Sequence, residues 1–427
     1  MFFRPKLLIP PGKEDLFEYY RMQLLWDGYP GAAPAHAPNS RPHPHPLYGV
    51  YLIRMSLEEW RQSGNRDFLH QALRTGKRAI KRMRRHRDAL IFDYVAKTPF
   101  NRTGRVFYSA LTQAKYISAF SMLEEVTGNA LFGEAARSCL QSLTVPLSEG
   151  GILVERPQGI SLEESPHLIP SFILNGWLSV LENVARYAQA TNSAAAQSLV
   201  DRSVPRLVHL LPHYDMPELK TSRYALAGTV PFRVQLPEGA RIVSAATTPP
   251  NGGKVDLEFT WRPTKWSLSI TSGGDGNVIV SHEPGARQSL VAVVKAKRAG
   301  TASLMAPTID YDPVLGTTYS KSWSVIASAD VVAGINTIVF DTLLDSFGAV
   351  AGATNFKKKI AGKQCNSYHV MHVKSLRRLH EITGEPVFRD YADKWQQYTK
   401  DWPTMPIYAG KNLALDPFGH DGLSHTI

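Results

Sequence analysis

Apolar residues recur at helical spacing between Ser367 and Tyr398, and the same arrangement returns three more times along the chain. Val373, Leu376, Leu379 and Ile382 form one stripe, which predicts a helix beginning near Asn366 or Ser367, both suited to cap a helix start. Thr383-Gly384 ends it, because glycine accepts the left-handed backbone that closes a helix. A second helix follows, with Pro386 in its first turn and Phe388, Tyr391, Ala392 and Trp395 on its apolar face. Ser63-Gly64, Phe68, Ala72 and Thr127-Gly128, Phe132, Ala136 repeat these spacings, and Thr191-Asn192, Ala196, Val200 is a degenerate copy. The upstream helices start near Tyr48, Tyr108, Phe172 and Tyr368. A pair of amphipathic helices cannot bury its apolar face alone, so the repeats predict a helical-hairpin array, an α-solenoid or an (α/α) toroid. The helix starts then share one rim, which carries Tyr48, Tyr108 with Gln113, Asn175, and Tyr368 with His369 and His372.

From about Gly228 the period falls to two. VPFRVQLPEGARIVSA, KVDLEFTW, KWSLSIT, NVIVSHE, SLVAVVKA, SKSWSVIA and INTIVFDT alternate apolar and polar residues between Gly, Pro, Asn and Asp, the pattern of a β-sandwich. The fold class expected is therefore mainly α with an inserted all-β domain. Residues 1–228 form the first part of the helical domain, 229–345 the β-insert, and 346–427 the last hairpin and a tail without periodicity. Residues to about 30 read as an irregular lead-in. The prolines between Gly31 and Pro46 predict irregular backbone there, with His36, His43 and His45 solvated rather than bound to metal.

With 427 residues, 43% of them hydrophobic, the chain is long enough for two or three domains and a large core. A net charge of +11 favours polyanionic partners. The most basic run, KRAIKRMRRHR, keeps Ala79, Ile80 and Met83 at helical spacing, so it reads as a helix with a charged outer face and not as a nucleic-acid module. Cys139 and Cys365 make no disulfide framework. Pro10 and Pro11 interrupt the apolar start, so neither a signal peptide nor a membrane span is expected, which points to the cytoplasm.

Candidate chemistry gathers on the rim. The connection from Gly150 to Ser171 delivers Glu155, Glu163, Glu164 and His167, and Tyr108, Tyr224 and Tyr368 sit near helix starts or in loops. Helix N-termini attract carboxylates, which suits an acidic sugar. A phenol can take or return a proton, and two such groups on opposite faces of a ring would epimerise a carbon beside a carboxylate. That exchange needs no cofactor. Plainer roles exist for the same residues: tyrosines that pack and cap, an i, i+3 histidine pair hydrogen-bonded in a core, or a metal pair His369–His372 whose third ligand no spacing fixes.

The segments GRVFYSALTQAKYIS, EESPHLIPSFILNG, LVHLLPHYD and NSYHVMHVKSLRRLHEITGE resemble, in order and wording, the C-terminal helical domain of the D-glucuronyl C5-epimerase family, over about Tyr48 to Tyr224 and Asn366 to Tyr398. Members flip glucuronate to iduronate in heparan-type chains. The resemblance implies an acidic polysaccharide as partner, no cofactor, and a catalytic set of Tyr368 and Tyr224 as the two proton-transfer groups with Glu164 positioning the sugar beside them. It also implies Tyr108, Gln113, Asn175, His369, His372 and Tyr48 around the sugar. Two departures stand out: Ser165 replaces the tyrosine of Glu-Glu-Tyr-Pro, and Tyr224-Ala225-Leu226-Ala227 lacks the arginine of Tyr-Asp-Leu-Arg-His. A polysaccharide lyase, or a glycan-binding or polysaccharide-assembly protein without turnover, would use the same scaffold, and a homodimer is allowed.

Overall fold

The structure, a computed structural model, describes residues 5–34, 37–98, 100–101, 104–167, 169–217, 220–247, 274–312, 316–341, 357–360 and 363–401. The expected strands at 254–261 and 265–271, His36, the boundary at 345–346 and the tail from Trp402 lie outside the described residues. Helices follow as α1 (Glu14–Tyr20), α2 (Pro46–Ser63), α3 (Arg66–Arg82), α4 (Ala110–Thr127), α5 (Ala130–Ser142), α6 (Leu174–Thr191), α7 (Ala194–Tyr214), α8 (Ser367–Thr383) and α9 (Pro386–Tyr398).

The helices from α2 onward pair into hairpins through one corner written four times. The hydroxyls of Ser63, Thr127, Thr191 and Thr383 each donate to the carbonyl four residues back at 2.6–2.8 Å. The next residue takes the left-handed conformation, with φ of 71° at Gly64, 63° at Gly128, 52° at Asn192 and 73° at Gly384. Asn65, Asn129, Ser193 or Glu385 then caps the outgoing helix through its side-chain oxygen. Three residues beyond the cap, Phe68, Phe132, Ala196 and Phe388 turn inward and are buried. Helices α2, α4, α6 and α8 pack on one another in that order, and α3, α5, α7 and α9 each back their own partner. One continuous apolar core runs through all four hairpins, including Phe120, Trp177, Leu376 and Trp395. No described helix is long and apolar enough to cross a membrane.

The proline-rich stretch departs from its expectation. Pro30–Ala32 pairs with both Met22–Leu24 and His43–Pro44, because prolines are tolerated where a ribbon leaves their nitrogen unpaired. His45 is half-buried and not solvated: its Nδ1 accepts from the Leu47 N–H at the start of α2, and its ring stacks on Tyr48 at 4.1 Å. Tyr108 likewise lies in a short strand paired with Asp93–Tyr94, just ahead of α4.

Between α7 and α8 the described strands form two larger antiparallel sheets, besides the two-stranded pairs Asp215–Met216 with Thr221–Ser222 and Lys357–Ile360 with Lys363–Asn366. One runs Asp275–Ser281, Ala227–Gln235, Gly300–Asp312, Gly316–Val331, and the other Arg241–Thr247, Leu290–Ala296, Gly334–Phe340. Phe232, Val280 and Leu304 of the first meet Leu290, Val294 and Phe340 of the second in one apolar cluster separate from the helical core. The strand Gly300–Asp312 went unread in the sequence, since Ala302, Ala306 and Pro307 blur its alternation. Glu283, buried just after the first sheet's outer strand, accepts from Arg156 at 2.6 Å and from Arg206 of α7 at 2.8 Å, which ties sheet to helices.

The last hairpin is anchored by a single carboxylate. Asp215, directly after α7, accepts from Trp395 Nε1 and Tyr398 Oη, both at 2.9 Å, and pairs with Lys394. Asp215→Ala leaves those buried donors unmet and should lower unfolding free energy by about 2–4 kcal/mol in urea titration. A loss under about 0.5 kcal/mol, the size of an ordinary surface change, would show that the anchor is not needed.

Candidate active site

Two buried histidines on the first turns of α8 set the geometry. His369 Nδ1 accepts from the Ser222 backbone N–H at 3.0 Å, so it carries no proton, and its Nε2–H donates to the Trp395 carbonyl at 2.9 Å. The Ser222 hydroxyl lies 2.8 Å from the Nδ1 of both His369 and His372. One hydroxyl proton serves both contacts if Ser222 donates to His369 and accepts from His372 Nδ1–H. Burial lowers both imidazoles, His369 to about 4 and His372 well below the ordinary range. They are therefore neutral, and they fasten the strand Thr221–Ser222 onto α8.

The consequence is local and steric. Tyr224 lies two residues after Ser222, and Tyr368 immediately precedes His369, so the clamp brings the two phenols together. Their ring centroids are 4.7 Å apart in an edge-on arrangement, and the side chains hydrogen-bond to each other. The Tyr224 carbonyl also accepts from Leu174 N–H at 2.9 Å, fixing the same residue to the start of α6.

Two adjacent carboxyls complete the site. Glu163 is buried and accepts from Ser171 N–H and Phe172 N–H at 3.0 Å and from the Ser171 hydroxyl at 2.8 Å. These bonds hold Phe172 at φ 48°, a strained conformation for an aromatic residue, while Tyr214 Oη donates to its carbonyl at 2.5 Å. The strain aims the first turn of α6 at Glu164. A Cβ on Gly176 would lie 2.2 Å from Glu164 Oε2, so only glycine lets that carboxyl rest on the helix start. Glu164 Oε2 and Asn175 Oδ1 are both withdrawn from solvent with no hydrogen-bond partner among the described residues. Burial first, and then the neighbouring Glu163, push Glu164 up to about 7, against the pull of Lys115. Burial, followed by the charges of Glu164, Tyr20 and Tyr19, drives the Tyr368 phenol well above its usual range. A carboxyl that titrates near neutrality thus lies within electrostatic range of a phenol that keeps its proton.

Of the residues singled out in the sequence, Tyr224, Tyr368, Glu164 and Asn175 gather here. His369 and His372 spend their Nδ1 atoms on Ser222, behind the phenols. Tyr108, 2% exposed, donates to the Ser142 carbonyl at 2.9 Å. Gln113 accepts from Phe92 N–H and donates to the Leu90 carbonyl and the Ser142 hydroxyl, all within the core. Tyr48 donates to the Tyr20 carbonyl and packs with Tyr20, Tyr51 and Phe100 in the lead-in's own cluster. These contacts occupy the groups that sequence spacing assigned to a sugar. Ser222 went unnoticed, because nothing local marks a hydroxyl whose partners lie about 150 residues away. Lys115 went unnoticed too, although a lysine within α4, a helix apolar on all sides, was a readable signal.

The clamp has a signed pH dependence. Between about 4 and the ordinary histidine value near 6.5, the folded chain binds fewer protons at His369 than the unfolded one. Its contribution is therefore complete above 6.5 and declines as pH falls toward 4, by on the order of 3 kcal/mol. Glu163 and Glu164, raised to about 7, act oppositely above 4.5, so wild type is compared with His369→Gln, in which they are unchanged. The stability advantage of wild type should shrink from pH 7 to pH 4.5. A pH-independent difference would mean that His369 is not held neutral.

Residues 89–238 match the family model for the D-glucuronyl C5-epimerase C-terminus. No curated protein matches the chain. Among solved structures, the cellobiose 2-epimerase of Spirochaeta thermophila DSM 6192 is similar at 12% identity over 46% of this chain and 49% of that one, TM-score 0.33. The cellobiose 2-epimerase of Bacillus thermoamylovorans B4167 gives 11% over 50% and 58%, TM-score 0.34. The unsaturated glucuronyl hydrolase of Bacillus sp. GL1 gives 15% over 39% and 44%, TM-score 0.25. The chain spans about half the length of these structures, and likeness this loose carries no weight for fold or activity. The family match covers α4 to α7 with Glu163, Glu164, Asn175, Ser222 and Tyr224, while Tyr368 lies beyond it; over residues 89–238 the chain is thus similar to the D-glucuronyl C5-epimerase C-terminus.

Proposed function

We propose that this protein is a carbohydrate epimerase that inverts C5 of a uronate residue within an acidic polysaccharide. The observation that carries the proposal is the contact between Tyr224 and Tyr368 beside the half-buried Glu164, two of the three lying in the family-matched segment. The hairpins are read as part of an (α/α) toroid, with the two sheets as an inserted β-sandwich.

The divergent acidities assign the roles. Glu164, raised to about 7, is substantially ionised at neutral pH and takes the C5 proton as general base. The C5–H bond breaks, its electron pair passes into the adjacent carboxylate as an enediolate, and Glu164 becomes neutral. Tyr368, its phenol still protonated, returns a proton to C5 from the other face, and Tyr224 stabilises the phenolate by hydrogen bonding. Proton exchange with water resets both groups, so no redox partner is needed. The Asn175 Oδ1 acceptor suits a sugar hydroxyl. The sugar must displace the Tyr224–Tyr368 hydrogen bond to reach the site.

Heavy water separates the steps. Wild type should place deuterium at C5 of glucuronate polymers in both epimers. Tyr368→Phe should still wash deuterium into the starting epimer while losing inversion about 10²–10⁴-fold, and Glu164→Gln should lose both. Deuterium gained by Glu164→Gln at the wild-type rate would refute the assignment. Ser165, where the family carries a tyrosine, hydrogen-bonds His167 at 3.2 Å, and this favours a second reading as a glycan-binding protein. Polymer binding by wild type with no exchange at all would support it.

A further inference from the structure

Removing a proton beside a carboxylate puts negative charge on that carboxylate, so a cation must hold it in a dry site. Arg223, the arginine nearest Tyr224 in sequence, is buried and donates its Nε to the His213 carbonyl at 3.0 Å. The inner helices offer another source. The N-terminus of α4 meets the connection that carries the two carboxyls, the Ala110 N–H donating to the Glu163 carbonyl at 3.1 Å, and the half-buried Lys115 of the same helix lies within electrostatic range of Glu164. Among the described residues, the charged groups acting on it are Arg54 of α2, Glu182 of α6, Arg378 of α8 and Glu164. Glu182 is already bridged by Arg378 at 3.2 Å and by Arg186 at 3.4 Å. Three cations from three packed helices thus share one electrostatic neighbourhood with two carboxyls, one of them engaged by guanidinium groups and the other acting on the Tyr368 phenol.

We propose that Lys115, with Arg54 and Arg378 at its sides, is the cation that holds the carboxylate of the uronate while C5 is exchanged. The inference rests on the proton-transfer reading of Glu164, Tyr224 and Tyr368, and adds the residue that selects an acidic sugar over a neutral one. The ammonium group supplies hydrogen bonds to both carboxylate oxygens, and its charge lowers the cost of the enediolate. Burial, the largest effect, lowers Lys115 to about 8, which leaves it mostly protonated at neutral pH.

Calorimetric titration tests this without turnover. The ligands are a hexasaccharide of alternating glucuronate and N-acetylglucosamine and the same hexasaccharide with its carboxyls reduced to alcohols. Wild type should prefer the acid, and Lys115→Met should weaken the acid by about tenfold or more, one charge-assisted hydrogen bond being worth at least that factor, with the reduced sugar unaffected. Lys115→Arg should recover most of the loss, and thermal unfolding of each variant reports whether the helices remain assembled. Equal weakening of both ligands would reveal a merely structural lysine and overturn the proposal, as would an unchanged preference or wild type binding neither ligand. If Lys115→Met loses the preference but wild type exchanges no deuterium, the carboxylate site stands and the proton-transfer reading falls.

Discussion

One hydroxyl shared by two neutral imidazoles is the constraint on which the site depends. Ser222 can satisfy His369 and His372 together only while His369 Nδ1 carries no proton, and burial keeps that ring neutral. That condition fixes the strand Thr221–Ser222 on α8, and the phenols two residues after Ser222 and one before His369 then have little choice but to meet. The histidines act through position, holding the two phenols in contact. The single unmet atom of the network, His372 Nε2, is an acceptor in this arrangement, the cheaper kind to leave without a partner.

A second constraint comes from carboxyl burial. Glu163 is spent on backbone N–H groups and keeps Phe172 in a strained turn, whereas Glu164 rests on Gly176 with an oxygen unmet. Neighbouring residues of one chemical type therefore divide into a brace and a group with reactive potential. Burial raises both toward neutrality, with Glu163 adding to the rise at Glu164 and Glu283 to that at Glu163, and a carboxylate in that range is strong enough to remove a proton and weak enough to release it. The strand Ala227–Gln235 begins directly after Leu226, and the buried Arg206–Glu283 pair ties its sheet to α7, so the sheet's attachment and the site share one stretch of backbone.

The four corners were legible in the sequence because each is a local event, a hydroxyl, a left-handed residue and a cap within three positions. Tyr224, Tyr368, Glu164 and Asn175 were legible only within a wider set from helix starts and family resemblance, which also held Tyr48, Tyr108, Gln113, His369 and His372. What sequence spacing could not show was direction. An i, i+3 histidine pair looks the same whether it faces ligand or Ser222, and Tyr108 and Gln113 carry the same letters whether they line a rim or knit Ser142 to the segment Leu90–Phe92. The ribbon around Pro30 and the strand Gly300–Asp312 escaped because pairing across a sheet outweighed weak local preference. Lys115 was written plainly in an apolar helix, and only the packing of α2, α6 and α8 around it gives that charge a purpose.

The most direct measurement is a crystal structure of the protein with the glucuronate hexasaccharide bound. One uronate ring should lie with its C5 within about 3.5 Å of the Glu164 carboxyl on one face and of the Tyr368 hydroxyl on the other, as a proton relay requires. An oligosaccharide seated elsewhere, or Glu164 and Tyr368 on the same face of the ring, would contradict inversion at this site.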